Sequence, residues 1–407
     1  MKKVLFLGAA APQIPPIQYA IDQGYYVITC DYLPSNPGHL LAHESHDVST
    51  TDMEAVLELS RRLDINGIVA YASDPAAPTA AYVAEKLGLP GNPFSSVEVL
   101  ARKDKFRDFL VTHGFNSPRS RSFHRVEEAR QWLSQLELPA FIKAVDSSGN
   151  KGMTCLEHAD ELDDAFAYAL SFSRAGRVVV EERIPGVGFQ IDSDAFMVEG
   201  ELRFWQWADA HFDTACIPPF PIANSVPSTL DPTVGRHAAM ELERMLKILG
   251  FRAGAFNVEF MVGPQGEIWF LEVGPRNGGD GIPDTLKLAT GVDLVRYTVE
   301  AALGHGCSDL VNAPPRGYWS NYVVHSLQSG WLEGIRYSDF IRQRIVQEMI
   351  WAKPGDPVAT AKGSNNTLGI LILSFRSHGE MLEIIENMNL HVHVEVNENP
   401  LNLLQAI

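Results

Sequence analysis

Apolar runs alternate with amphipathic segments through the first hundred positions of the chain. The apolar runs are short and rich in Val, Ile and Leu, which is typical of buried strands, and the segments between them have helical spacing. This alternation predicts a parallel sheet with helices on both faces, an α/β domain covering residues 1–98. The predicted elements are strands at 3–8, 25–31 and 67–71 and helices at 13–23, 52–64 and 77–88.

The pattern changes after a turn-rich segment at residues 88–100, GLPGNPFSSVEVL. Helices and strands no longer alternate regularly, and a hairpin around the turn GPQG follows a long amphipathic helix at residues 231–249. This order predicts an α+β domain over residues 99–309, with a subdomain at about 103–183. A last α+β unit is predicted over residues 310–407.

Composition and charge exclude several classes of protein. The net charge of −17 and the absence of a basic stripe argue against a nucleic-acid partner. No apolar run reaches the roughly 20 residues of a membrane span, and the opening MKKVLFLGAAAP is interpreted as a first strand rather than a signal peptide. The four cysteines lie far apart and form no Cys-x-x-Cys pair, which favours reduced thiols and a cytoplasmic location.

Two glutamates in the predicted hairpin are the first candidate for chemistry. Glu259 and Glu272 fall on facing strands, either directly opposite or diagonal according to the length of the turn, and in both cases on one face. Carboxylates so placed repel each other unless a cation lies between them, and Mg²⁺ prefers oxygen ligands. Two glutamates on a solvated strand face are the simpler alternative. The following turn, GPRNGGDG, places Arg276 within reach of an anion on such a metal.

A second candidate is the glycine loop, DSSGNKG, residues 146–152. Lys143 precedes it on a strand and Lys151 lies within it, so backbone amides and lysines could surround phosphate oxygens. A flexible hairpin tip is the alternative interpretation. The loop is not a P-loop, because no Gly-Lys-Ser/Thr follows at the required spacing. A dinucleotide site near Gly8 is not expected either, because further glycines are missing there.

Taken in order, these motifs resemble the ATP-grasp superfamily. The similarity runs through KDKF, Lys143 with the glycine loop, VVVEERIPG, NVEFMV and LEVGPRNGG, and the first domain is similar to the pre-ATP-grasp domain. The resemblance implies a Rossmann-like domain, then a two-subdomain ATP-grasp fold that binds ATP with Mg²⁺ or Mn²⁺, then the C-terminal α+β unit. It implies nucleotide contacts from Lys105, Lys143, Ser147, Ser148, Gly149, Gly152, Glu181, Glu182 and Ile184. It implies metal ligation by Glu259 and Glu272, and catalytic roles for Lys143 and Arg276.

The chain departs from the superfamily pattern at two positions. Many members carry a glutamate for the ribose hydroxyls where this chain has Gly188. Many also carry Asn two residues after the second metal glutamate, where this chain has Gly274. Asn277 is close enough in sequence to be a substitute candidate for that ligand.

The resemblance implies an ATP-dependent carboxylate–amine ligase of the amino-acid type. It would act through an acyl phosphate, release ADP and phosphate, and be compatible with a homodimer. The alternatives are a bicarbonate-using carboxylase related to purine synthesis and a non-catalytic ATP-binding regulatory protein. The segment 205–225 is expected to cross the cleft, with Arg203, His211 and Asp213 as candidates for substrate contact, although His211 is better explained as an ordinary loop histidine.

Overall fold

The computed structural model describes residues 1–216, 219–363 and 366–397. The fold combines an N-terminal parallel sheet of Rossmann-like type with antiparallel central and C-terminal sheets, which confirms the predicted fold class. The predicted C-terminal unit, 310–407, extends past the described residues. None of the helices within them combines the length and the apolar character that crossing a bilayer requires.

The N-terminal sheet has four parallel strands in the order β3-β2-β1-β4. Its inner strands are buried on both faces because helices cover both sides, which explains their continuous apolar sequences. Sequence patterning missed only the third strand, whose sequence ESHD is polar and half exposed. The elements are β1 (Lys3–Leu7), α1 (Ile14–Asp22), β2 (Tyr26–Asp31), β3 (Glu44–Asp47), α2 (Met53–Leu63), β4 (Gly67–Ala70) and α3 (Ala77–Leu87).

A second sheet, called the small sheet below, has four antiparallel strands in the order β5-β8-β6-β7. Two of its helices pack their apolar stripes on one face and enclose a separate core. The glycine loop joins its two adjacent strands β6 and β7. The elements of this region are α4 (Phe94–Ala101), α5 (Lys103–Thr112), β5 (Ser120–Phe123), α6 (Val126–Leu133), β6 (Ala140–Ala144), β7 (Thr154–Leu156), α7 (Leu162–Ser171) and β8 (Val178–Glu182).

The central sheet has nine strands in the order β14-β13-β9-β11-β12-β15-β19-β17, with β10 paired to β9. The apolar side of its first strands packs against the long helix α8 and forms the largest core. The elements before residue 310 are β9 (Val187–Val198), β10 (Glu201–Trp205), β11 (Asp209–Asp213), β12 (Phe220–Val226), α8 (Pro232–Ile248), β13 (Gly254–Val262), β14 (Ile268–Gly274), α9 (Ile282–Thr290) and α10 (Leu294–Ala302).

The strands of the C-terminal part are divided between two sheets. Three of its strands continue the central sheet, and the other three form a separate three-stranded sheet in the order β18-β16-β20. The elements are β15 (Tyr318–His325), β16 (Gly330–Tyr337), α11 (Asp339–Arg342), β17 (Ile345–Ile350), β18 (Pro357–Val358), β19 (Thr367–Phe375), α12 (His378–Glu386) and β20 (Val392–Asn397).

Candidate active site

The hairpin of β13 and β14 presents two carboxylates side by side. Glu259 and Glu272 are direct partners in its register, and a bulge follows Glu259. On the neighbouring strand β9, Asp192 is the direct partner of Glu259. Since direct partners lie on the same face of a sheet, three adjacent strands carry one carboxylate each. We call Asp192, Glu259 and Glu272 the acidic face.

The acidic face holds more negative charge than its surroundings neutralise. Burial raises the pKa of Glu259 well above its usual range, and repulsion from Asp192 and Glu272 raises it further. Burial also raises the pKa of Asp192, against hydrogen bonds such as that from Asn257 Nδ2 at 2.8 Å, which lower it. A cation among these oxygens would relieve both the desolvation and the repulsion. Oxygen donors of this kind fit Mg²⁺ or Mn²⁺.

Lys103, at the start of α5, is the lysine that reaches the acidic face. Its Nζ lies 3.1 Å from Glu272 Oε2 and donates to Ser147 O of the glycine loop at 2.8 Å. Burial lowers the pKa of Lys103, but the carboxylates of Glu272 and Asp74 raise it by more, so the side chain stays charged. It therefore bridges the hairpin and the glycine loop.

The structure does not bring Lys105, the sequence-derived candidate, to the acidic face. Its Nζ pairs with Glu98 Oε2 at 2.6 Å, and 41% of its side chain is exposed against 16% for Lys103. Residues two positions apart on a helix are separated by roughly 200° around its axis, so only one of Lys103 and Lys105 can face inward. The inward position falls on Lys103 because it shares a stripe with the buried Phe106 and Leu110.

Lys143, on β6, contacts a fully neutralised carboxylate. Its Nζ donates to Glu181 Oε1 on β8, and Arg107 Nε donates to Glu181 Oε2 at 3.0 Å. Burial raises the pKa of Glu181, but Arg107 and Lys143 lower it by more, to about 2. Arg107 also donates to Phe270 O at 3.3 Å and to Leu271 O at 3.0 Å. This network fixes the small sheet to β14.

The residues predicted to contact adenine differ in whether their backbone groups are already hydrogen-bonded. Glu181 pairs on both sides within the small sheet, with Ser120 and with Phe141, so its backbone lies between two neighbouring strands. The N–H of Glu182 donates to Arg119 O at 3.0 Å. Within the described part of the chain, the N–H of Ile184 forms no hydrogen bond.

The glycine loop adopts a tight turn that needs its glycines. Gly149, Asn150 and Gly152 all have positive φ, and a Cβ on Gly152 would lie 3.0 Å from Phe172 Cβ. Inside the loop, Ser147 Oγ donates to Lys151 O at 2.7 Å, and Lys151 N donates weakly to Ser148 O at 3.5 Å. The loop also contacts the C-terminal part, since a Cβ on Gly363 would lie 3.2 Å from Gly149 O.

Arg276 forms a bidentate ion pair with the N-terminal region. Its Nε and Nη2 donate to the two carboxylate oxygens of Asp74 at 2.7 and 2.6 Å, and its Nη1 donates to Asn277 O at 3.0 Å. Burial raises the pKa of Asp74, but Arg276 lowers it by more. A Cβ on Gly274 would lie 2.8 Å from Asp74 Oδ1. The ion pair therefore occupies the space that an asparagine side chain at 274 would need.

Asn277 does not replace the missing asparagine. It is fully buried, its Oδ1 accepts from Thr298 Oγ1 at 2.7 Å, and its Nδ2 donates to Asp194 Oδ2 at 3.5 Å. Asp194 also accepts from Gly278 N at 2.8 Å, so it holds the GPRNGG turn in place. Burial raises the pKa of Asp194 to about 7, although the Gly278 amide lowers it.

Residues predicted near an acceptor substrate lie in different environments. His211 belongs to β11 rather than to a loop, and its Nε2 lies 2.9 Å from Ser225 Oγ. Burial lowers the pKa of His211 to about 4. Arg203 pairs with Glu201 at the surface, 3.2 Å away. Outside this predicted set, in the GPRNGGDG turn, burial raises the pKa of Asp280 to about 6, and Asp192 adds to the shift.

Sequence reasoning missed Lys103, Asp74, Asp192 and Asp194. A signal existed for the last two, because acidic residues at every second position of QIDSD share one strand face. Asp74, Glu98, Lys103, Asp146, Ser147 and Glu272 line one pocket between the N-terminal region, the glycine loop and the hairpin.

Comparisons with known sequences find relatives of low identity. No protein-family model matches the chain. An uncharacterized protein of Sinorhizobium fredii, y4rH, is 27% identical over 271 residues, which are 64% of this chain and 54% of that protein. A formate-dependent phosphoribosylglycinamide formyltransferase of Paraburkholderia xenovorans is 26% identical over 318 residues, 69% of this chain and 70% of that protein. The carbamoyl phosphate synthase large chain of Methanoculleus marisnigri is 23% identical over 67% of this chain, but over only 27% of its own length.

Solved structures share the architecture over nearly the whole chain. An L-amino acid ligase from Bacillus licheniformis has a TM-score of 0.81 at 20% identity, with 98% of this chain and 99% of that chain covered. The biotin carboxylase domain dimer of a Hydrogenobacter thermophilus 2-oxoglutarate carboxylase, in complex with MgADP and bicarbonate, has a TM-score of 0.76 at 15% identity and covers 97% of this chain and 90% of that one. At these identities the likeness shows the fold. Together with the sequence relatives, it shows that the chain has the ATP-grasp fold and is similar to ATP-grasp proteins.

Proposed function

We propose that the protein is an ATP-dependent carboxylate–amine ligase that forms an acyl phosphate and releases ADP and phosphate. The observation that carries the proposal is the direct pairing of Glu259 with Glu272, with Lys103 Nζ 3.1 Å from Glu272 Oε2. A carboxylate has no good leaving group until one of its oxygens is phosphorylated. Phosphoryl transfer needs mainly positioning and charge neutralisation, which this arrangement is suited to provide.

Lys103 and Lys143 are proposed to neutralise the phosphates of ATP. Lys103 Nζ donates to Ser147 O of the glycine loop, and Lys143 lies on β6, the strand that leads into the loop. The backbone amides of the loop are the proposed third element of the phosphate site. The role that the resemblance assigned to Lys105 passes to Lys103, because Lys105 pairs with Glu98. The Ile184 amide is the proposed donor to the adenine ring, since Glu181 and Glu182 use their backbone groups within the sheet.

Glu259 and Glu272 are the proposed ligands of Mg²⁺ or Mn²⁺, with Asp192 as the adjacent carboxylate. These carboxylates would hold the ion, which would supply positive charge to offset the charge of the phosphates. Asn277 is not included, because both ends of its amide are already hydrogen-bonded. The acidic face instead offers three carboxylates on three adjacent strands.

Arg276 is proposed to contact the transferred phosphoryl group and the acyl phosphate. A guanidinium has five N–H donors, and three of those of Arg276 are used by Asp74 and Asn277. Two donors therefore remain for an anion without breaking the ion pair. Closure of the glycine loop would exclude water and protect the mixed anhydride from hydrolysis.

A related candidate is an enzyme that activates a one-carbon carboxylate, either bicarbonate or formate. It is favoured by the sequence relative that is formate-dependent and by the structural neighbour that holds MgADP with bicarbonate. The same phosphate and metal residues would serve both reactions. The two candidates differ in the carboxylate that receives the phosphoryl group.

Incubation with Mg-ATP and pooled amino acids tests the proposal. We expect ADP and phosphate, a new product mass that depends on one pool, and loss of both in Glu272→Gln. AMP and pyrophosphate would contradict an acyl phosphate. Turnover only after addition of bicarbonate or formate would favour the second candidate, and ATP binding without turnover under all conditions would favour a regulatory protein. A homodimer, also proposed, is tested by light scattering after size-exclusion chromatography.

A further inference from the structure

Asp213, Cys216 and His325 converge where the β11–β12 hairpin meets the end of β15. One ligand atom from each residue lies within 4.8 Å of the other two. Among the residues that the structure describes, no other group of three or more His, Cys, Asp or Glu side chains satisfies this criterion. His325 and Cys216 are buried, and Asp213 is partly exposed, so the cluster lies at the boundary of the interior.

The hydrogen bonds of His325 leave one ring nitrogen without a proton in the neutral form. Nδ1 lies 3.0 Å from Val323 O, and a carbonyl oxygen can only accept, so Nδ1 carries the hydrogen. Nε2 then turns its lone pair toward Asp213 Oδ2, 3.0 Å away. Two acceptors face each other unless a proton or another cation lies between them. A backbone carbonyl bound to the opposite nitrogen is also the usual partner of a metal-ligating histidine.

Asp213 is oriented in the same manner. Its Oδ1 accepts from Ala215 N at 2.8 Å, which leaves Oδ2 directed at His325. The backbone N–H of Cys216 donates to Asp213 O at 3.3 Å, so the two ligands stand on one tight turn. Such outer contacts fix the direction of ligand atoms before any ion arrives.

The arrangement does not suit a Cys–His–Asp nucleophile. Such a triad needs the acid on one ring nitrogen and the thiol on the other, whereas here a backbone carbonyl occupies Nδ1. Burial raises the pKa of Cys216 to about 11, and Asp213 adds to the shift, so the free thiol stays protonated. A metal ion converts such a thiol to a thiolate ligand.

We propose that Asp213 Oδ2, Cys216 Sγ and His325 Nε2 bind one Zn²⁺ ion at a site separate from the acidic face. One sulfur, one nitrogen and one oxygen match the preferences of Zn²⁺, and the ligand atoms of a tetrahedral zinc site lie roughly 3.3–3.6 Å apart. The ion would connect the hairpin to a strand 109 positions later in sequence, counted from Cys216 to His325. Its role would be to fix the hairpin against the C-terminal part.

Cobalt titration of the whole chain tests this site independently of any enzymatic activity. The protein is stripped with a chelator, saturated with Mg²⁺ to occupy the oxygen ligands of the acidic face, and titrated with Co²⁺. We expect one equivalent to bind with a thiolate-to-cobalt charge-transfer absorption, which Zn²⁺ abolishes by displacement. Cys216→Ser should lose the absorption and bind at least about tenfold more weakly. Cys155→Ser, a half-buried cysteine on β7, is the matched control and should behave as wild type.

Several outcomes would overturn the site. These are no cobalt uptake, an absorption that survives Cys216→Ser, or an absorption lost in Cys155→Ser. If Cys216→Ser does not fold, Asp213→Asn provides the second test, because it keeps the thiol but should weaken Co²⁺ binding. Unchanged affinity in Asp213→Asn would also contradict the proposal.

Discussion

Two glutamates of this protein, the buried Glu181 and the half-buried Glu259, lie in opposite electrostatic environments. Glu181 receives hydrogen bonds from Arg107 and Lys143, and these cations bring its pKa to about 2 against the effect of burial. Glu259 faces other carboxylates, so burial and repulsion raise its pKa. The first site is neutralised by the chain itself and serves to position Lys143. At the second, Lys103 and Arg276 do not offset burial and repulsion, which is the condition expected of a cation-binding site before its ion is bound.

Neutralising the acidic face should have the largest effect, on activity. Glu272→Gln removes a proposed metal ligand, and we expect kcat/KM for ATP turnover to fall about 10³-fold, or ~4 kcal/mol in transition-state stabilisation. ADP release measured over a range of Mg²⁺ concentrations checks this. Folding stability without metal should change little, because Glu272→Gln removes one of several repelling charges and also the ion-pair partner of Lys103.

The matched control is Glu267→Gln, in the turn of the same hairpin, where the carboxylate accepts from Gln265 N at 2.8 Å. It makes the same chemical change outside the acidic face and should leave activity within about twofold, as for most surface substitutions. Equal losses in the two variants would show that the hairpin, rather than the metal site, had been damaged.

Neutralising Glu181 should act on stability instead. Glu181→Gln leaves Arg107 and Lys143 buried or half-buried without their counter-charge, and we expect a loss of about 3 kcal/mol in the free energy of unfolding. Urea denaturation followed by circular dichroism measures it. Glu182→Gln, next along β8 and hydrogen-bonded to Arg119 N, is the control and should cost under about 1 kcal/mol. A larger loss of stability in Glu182→Gln than in Glu181→Gln would contradict the assignment of Glu181 as the carboxylate that neutralises Arg107 and Lys143.

Two lysines of α5 provide a sharper test of which residues reach the acidic face. Lys103→Ala should reduce kcat/KM by about 100-fold, because it removes the ammonium closest to Glu272. Lys105→Ala should stay within about twofold, since its ion pair with Glu98 is largely exposed. Steady-state kinetics with varied ATP distinguishes them. A larger effect at Lys105 would require a different rotation of the helix in the working enzyme.

The smallest expected effect is on the pH dependence of stability. Asp194 has a folded pKa of about 7 against 3.8 for the free group, so the folded state holds a proton that the unfolded state has released, and stability falls as pH rises from about 4 to 7. For Glu181 the sign is opposite, because its stabilisation is present above 4.5 and lost as pH falls toward 2.

Asp194→Asn should therefore flatten the decline between pH 4 and 7. The change in slope is at most one proton, about 1.4 kcal/mol per pH unit. Urea unfolding at several pH values in that interval measures it, with the exposed Asp108→Asn as the control. An unchanged slope in Asp194→Asn would show that this carboxyl is ionised in the folded protein.

The sequence was sufficient to predict which side chains of the β13–β14 hairpin share a face, but not which side of α5 faces them. Strand alternation has a period of two, so the GPQG turn was enough to place Glu259 and Glu272 on one face, as the register confirms. Choosing between Lys103 and Lys105 required the rotation of α5. That rotation is set by tertiary packing, although the apolar positions Phe106 and Leu110 already pointed to Lys103.

Contacts between regions distant in sequence were not predictable in the same way. Nothing local indicates that Asp74 would meet Arg276 across 202 positions. Nor could the sequence show that this pair fills the space beside Gly274, where an asparagine side chain would meet Asp74. The fold class, by contrast, was predicted from periodicity and motif order, and neither depends on the detailed packing of side chains.

The ion pair between Asp74 and Arg276 bears on protein engineering. It makes the N-terminal region part of the lining around the acidic face, so that region is not an interchangeable module. A chimera that took residues 1–98 from a relative without the aspartate would leave the Arg276 guanidinium without its counter-charge beside the acidic face. A chimera of this protein with a relative should therefore keep Asp74, Gly274 and Arg276 together.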